Sequence, residues 1–168
     1  MAVVAIAGDI TQAKVDVIVN AANERLSRGG GVCGAIFAAA GPGLDDACAA
    51  LGGCETGDAK ATPGFALPAA WIVHAVGPVW CGGDAGEPAL LASCYRRALA
   101  VAAGMGARSI AFPAISTGIF GYPVGPAAEI AVSTVLTTET PVSEVRFVCF
   151  DESTLEVYRA ALERAGRG

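Results

Sequence analysis

Charge is scarce in this chain and histidine scarcer still, with 16% charged residues and a single histidine, His74. A metal site built from clustered His and Cys has little to draw on. His74 sits in the apolar run "WIVHAV" and reads as a hydrogen-bonded strand residue. Basic residues do not outweigh acidic ones: the formal net charge is −5, so the basic footprint that a polyanionic backbone needs is missing and no direct nucleic-acid binding is expected. No C-x-x-C pair occurs among Cys33, Cys48, Cys54, Cys81, Cys94 and Cys149, and most lie in apolar runs, which favours reduced, buried thiols over disulfides or zinc. The longest apolar run is broken by Arg108, which argues against a membrane span. The opening "MAVVAIAGDI" lacks a basic leader and meets Asp9 early, so it reads as a first strand rather than a signal peptide, and the expected location is the cytoplasm.

What is present is apolar: 54% of the chain is hydrophobic, enough for a packed core at this length, and residues 1–168 are expected to form one domain. The runs "VVAIAG", "VDVIVN", "WIVHAV", "RSIAFPAI" and "VRFVCF" are nearly continuous in hydrophobicity, as strands covered on both faces are. Helical patterns lie between them. Pro88 opens one and Gly104 follows it, with Leu91, Cys94, Ala98 and Val101 at helical spacing. Ser153 and Glu156 form an S-x-x-E capping box ahead of a last helix. This alternation predicts an α/β fold with helices on both sides of a sheet.

Two glycine-rich loops carry the chemistry. "NAANERLSRGGGVCG" contains a literal G-x-G-x-x-G at Gly29, Gly31 and Gly34, the pattern of a dinucleotide-binding turn and so of an NAD-dependent oxidoreductase. The preceding strand is expected to end at Val19, however, so the glycines come too late for that fingerprint, and no lysine and hydroxyl follow them as in a P-loop. The helix "GAIFAAAG" beyond them still offers free N–H groups to an anion. "AISTGIFGYPVG" occupies the corresponding place after another strand, and the two loops facing each other at a sheet edge suit a diphosphate. Asn20 and Asn23 are either Asx-turn formers or amides for ligand hydroxyls. Asp9 is either a turn former or an acceptor for an adenine amino group, and Phe150 is either core or a stacking platform.

The segments "GDITQAKVDVIVNAAN", Gly29 to Gly34, "GDAKATPGFALPAAWIVHAVGP" and "FPAISTGIFGYP" resemble, in order, those of the macrodomain family, and more closely its MacroD-type branch. The resemblance implies a three-layer α/β/α sandwich with a mixed central sheet and ADP-ribose as ligand, with no further cofactor or metal. It implies removal of mono-ADP-ribose from acidic side chains of modified proteins, or deacetylation of O-acetyl-ADP-ribose. By motif position, Asp9 and Ile10 are expected at the adenine and Phe150 stacked on it. Gly31, Val32, Ser116, Thr117, Gly118, Ile119 and Phe120 are expected around the diphosphate, and Asn23 at the distal ribose beside the scissile bond.

The departure lies in "GGGVCG": the branch usually has aspartate where this chain has Cys33, and commonly histidine where it has Phe37. A thiol replaces a carboxylate as a base only when ionised, so Cys33 is the weaker candidate beside Asn23. A ligand phosphate that positions water would let hydrolysis survive without the aspartate. The readings are thus a hydrolase, a non-catalytic ADP-ribose reader and, resting on the glycine pattern alone, an oxidoreductase.

Overall fold

The computed structural model describes residues 1–167. Among the described residues six strands form one sheet in the order β1-β6-β5-β2-β4-β3: β1 (Ala2–Ala7), β2 (Val17–Ala22), β3 (Ala59–Pro63), β4 (Trp71–Val76), β5 (Ser109–Phe112) and β6 (Glu144–Cys149). All neighbours pair in parallel except β3 with β4, so the sheet is mixed. It is covered by the helices α1 (Gly31–Ala40), α2 (Gly43–Ala50), α3 (Glu87–Gly104), α4 (Val124–Thr137) and α5 (Glu152–Arg164).

The alternation of side chains along β2 divides the core. Val17 and Val19 join a cluster with Tyr95, Phe112, Phe147 and Tyr158, beneath α3, α4 and α5. Ile18 and Ala22 face the other way, into a cluster with Ile36, Phe37, Leu44 and Ile72 beneath α1 and α2. A strand buried on both faces has no place for polar alternation, which is why "VDVIVN" and "WIVHAV" read as continuous apolar sequence. The run "VVAIAG" departs from that expectation: β1 is an edge strand covered on one face only, with Val4 and Ile6 exposed on the other.

The structure extends or moves several elements. β2 runs three residues beyond Val19, pairing Asn20, Ala21 and Ala22 with His74, Ala75 and Val76. α1 begins at Gly31, so Gly31 and Gly34 belong to its first turns rather than to a loop. Gly104 is the last residue of α3 rather than the residue after it. The last helix is capped by Asp151, whose side chain accepts from the Thr154 N–H at 2.8 Å while Ser153 Oγ donates to the same carboxylate at 3.0 Å. The expected Ser153–Glu156 box does not form, because the helix starts at Glu152, two residues earlier than that box requires. Among the described residues no helix is long and apolar enough to cross a membrane.

Candidate functional site

The loops that follow β1, β2, β4, β5 and β6 gather at the carboxyl edge of the parallel strands. Between β5 and β2 the connections diverge to opposite faces, since α1 follows β2 on one face and α4 follows β5 on the other. Such a switch point opens a crevice. A cleft of about 790 Å³ lies there. Strand order sets its polarity: Asp9, Val148 and Phe150 line the β1/β6 side, and Ala21, Ala22 and Gly77 the β2/β4 side.

The first wall is the start of α1. No side chain caps it, so the N–H groups at Gly31, Val32 and Cys33 are offered to the cleft that those residues line. Gly34 is required for packing rather than for binding, because a Cβ there would meet the Gly29 carbonyl at 2.7 Å. The second wall is the segment from Ser116 to Phe120, all of which lines the cleft. Ser116 holds a left-handed φ of 68°, a conformation that costs a non-glycine residue strain. Its hydroxyl is buried without a hydrogen-bond partner among the described residues. The walls nearly meet: a Cβ on Gly30 would lie 3.1 Å from Ile119 Cδ1, and Ile119 itself is 81% exposed.

At the β1/β6 side, Asp9 caps a short 3-10 turn (Ile10–Gln12), its Oδ1 accepting from the Thr11 N–H at 2.9 Å and the Thr11 hydroxyl at 2.7 Å. It is a turn former that also lines the cleft, next to Ile10. Phe150 lies beyond the end of β6 and is 92% exposed, so it is not core. Asp151, Ser153 and Thr154 at the start of α5 complete this side. Sequence pattern alone does not mark them as site residues, although a helix that starts directly after a strand end is a signal for such a position.

At the other side the two asparagines part. Asn20, as a strand residue on the Ile18 face, is 1% exposed beneath α1. Its Nδ2 lies 3.1 Å from His74 Nδ1 and 3.6 Å from Cys33 Sγ, and its Oδ1 is buried without a partner among the described residues. Neither it nor Asn23 is among the residues that line the cleft. Asn23 closes the loop after β2: its Nδ2 donates to the Ser27 carbonyl at 3.0 Å, and its Oδ1 accepts from the Ser27 N–H at 3.1 Å. One N–H of its amide remains unused. A Cβ on Gly29 would lie 3.6 Å from Cys33 Sγ and 3.8 Å from Asn23 Nδ2, so both candidate catalytic residues flank that glycine. Cys33 is 6% exposed and its thiol is directed at the Ser27 carbonyl, 3.8 Å away.

His74 is a buried member of the sheet, as expected, with Thr62 Oγ1 at 2.9 Å from its Nε2. Burial lowers its pKa to about 4. All six cysteines are free, five of them buried and Cys81 exposed. Burial pushes Cys48 up to about 11 and Cys94 to about 12, so these thiols are inert core.

Known proteins resemble this chain over nearly its whole length. A macro domain-containing protein of Chlorobaculum tepidum is 56% identical over 161 residues, covering 94% of each chain. A Klebsiella pneumoniae protein named O-acetyl-ADP-ribose deacetylase is 54% identical over 164 residues, again covering 94% of each. The Oceanobacillus iheyensis macrodomain solved with ADP superposes with a TM-score of 0.92 at 42% identity, covering 96% of this chain and 90% of that one. The Trypanosoma brucei macrodomain solved in complex with ADP-ribose superposes at 0.87 with 39% identity, covering 95% of this chain and 68% of that one. With residues 19–131 also matching the sequence profile described as Macro domain, the chain belongs to the macrodomain family.

Proposed function

We propose that this protein binds ADP-ribose and hydrolyses esters made at its distal ribose, releasing mono-ADP-ribose from acidic side chains or acetate from O-acetyl-ADP-ribose. Supporting this reading, a 54% identical relative is named for the second reaction. The observation that carries it is the layout of the cleft. Asp9, Ile10 and Phe150 stand at one side for the adenine, uncapped N–H groups and the Ser116–Phe120 segment stand between for the diphosphate, and Asn23, outside the lining but across Gly29 from the lining residue Cys33, stands for the ribose. In this mechanism a water held by the phosphate and oriented past Asn23 attacks the ester, and its two parts leave on the ribose and on the freed acid. Positioning of this kind lowers a barrier without a strong base when the bond is already labile. The partners are thus mono-ADP-ribosylated proteins, and the compartment proposed is the cytoplasm.

One observation favours the reader as the second reading. The carboxylates that line the cleft, Asp9 and Asp151, both cap helical turns at the β1/β6 side, away from Asn23. No carboxylate among the lining residues faces the expected ester, where Cys33 stands instead.

Calorimetry and a release assay decide between them. ADP-ribose is expected to bind in the micromolar range, about −8 kcal/mol, and more tightly than NAD. Incubation with a labelled ADP-ribosylated acceptor is expected to free the label. Binding without release makes the protein a reader, and no heat at millimolar ligand defeats both readings.

A further inference from the structure

Glu87, the first residue of α3, is 1% exposed and has no ion-pair partner among the described residues. Its carboxylate is held by backbone instead: Oε2 accepts from the N–H groups of Cys81 at 2.8 Å and Gly83 at 2.9 Å, and Oε1 from that of Ala85 at 2.7 Å. The bond from Cys81, and then the others, keep its carboxyl down at about 2.

The segment so gathered touches the second wall of the cleft. The Trp80 N–H donates to the Phe120 carbonyl at 2.8 Å, and its ring packs on Tyr122 with centroids 4.6 Å apart. A Cβ on Gly83 would meet Trp80 Cη2 at 2.9 Å, so the ring is wedged between Gly83 and Tyr122. The Tyr122 N–H in turn donates to the carbonyl of the strained Ser116 at 2.9 Å. Strained loops persist only where their surroundings determine them.

We propose that Glu87 is a positioning residue for the Ser116–Gly121 loop: by gathering residues 81–85 it holds Trp80 against Phe120 and Tyr122, and so keeps the loop shaped for a diphosphate. Its effect on ligand rests on the ADP-ribose reading above, while its effect on the loop does not.

Glu87→Gln in the whole protein tests this, since the amide keeps the size but turns a donor toward backbone donors. Hydrogen exchange at the Gly121 and Tyr122 amides is expected to quicken at least about tenfold, with Val19 and Val73 in the central strands unchanged. ADP-ribose affinity is expected to fall about tenfold, and that of adenosine, which has no diphosphate, less than about twofold. Trp80→Leu should reproduce this pattern, and adding Glu87→Gln to it should add little, because both act along one chain of contacts. If Glu87→Gln does not fold, Glu87→Asp, which keeps the charge but shortens the reach to the Cys81, Gly83 and Ala85 N–H groups, takes its place with the same expected pattern. Unchanged exchange at Gly121 and Tyr122, or exchange raised throughout the sheet, overturns the proposal. A parent protein that does not bind ADP-ribose defeats the binding reading and leaves the exchange result to decide the role of Glu87.

Discussion

Asn23 and Cys33 flank the same glycine, yet their chemistry differs. An amide held at Ser27 with one free N–H can orient a ribose, whereas a thiol directed at a carbonyl is a poor base. Asn23→Ala is therefore expected to lower turnover of an ADP-ribosylated acceptor by about 10- to 1000-fold, and Cys33→Ser to retain most of it. A dead Cys33→Ser enzyme with a covalent adduct on the parent thiol would reverse the assignment. Cys33→Asp restores a carboxylate on the Asn23 side, where the cleft lining has none. Its turnover should exceed the parent's, and a rate no higher means that a phosphate-held water already suffices.

The loop from Ser116 to Gly121 and the start of α5 are the elements that differ most in what a substitution would do. A Cβ at Gly118 would meet no atom within 4 Å, so Gly118→Glu fits the loop while placing a bulky anion where the diphosphate is expected. Loss of ADP-ribose binding with an unchanged circular dichroism spectrum is the expected outcome. An unfolded variant would instead make this glycine a turn requirement. At α5 the cap belongs to Asp151, so Asp151→Ala should lower the denaturant midpoint, and Ser153→Ala should lower it clearly less. Equal losses would restore the capping box read from Ser153 and Glu156.

For the whole molecule, acid stability divides into two windows. Burial holds His74 at about 4, below its ordinary 6.5, so the unfolded chain takes up the proton first. Stability from this group is complete above pH 6.5 and falls progressively toward pH 4, by up to about 3 kcal/mol, then levels off. Glu87 has the depressed pKa of a bound carboxylate, so its contribution is intact above about pH 4.5 and is lost as pH falls toward 2. Denaturant midpoints from pH 7 to 4 should therefore slope downward in the parent and flatten in a folded His74→Gln variant. A parent midpoint constant across that range would mean His74 is as readily protonated folded as unfolded.

Order along the chain was enough for the strands whose burial is continuous, such as "VDVIVN" and "WIVHAV", because apolar character on both faces is a local property of the residues. It was also enough for the family, whose motifs are linear, and for the loop after β5, but not for the start of α1, which takes in Gly31 and Gly34. β3 escaped it, since "AKATP" carries Lys60 and Pro63, which only an edge position tolerates, and edge position is a property of the sheet. The two asparagines look alike in "NAAN", and only the extension of β2 to Ala22 buried Asn20 against His74, 54 residues away, while leaving Asn23 in the loop. Glu87 likewise reads as an ordinary acidic residue in a first helical turn. Its burial within backbone N–H groups and its link to the Ser116–Gly121 loop through Trp80 arise from contacts between segments that no periodicity joins, and tertiary packing alone decided them.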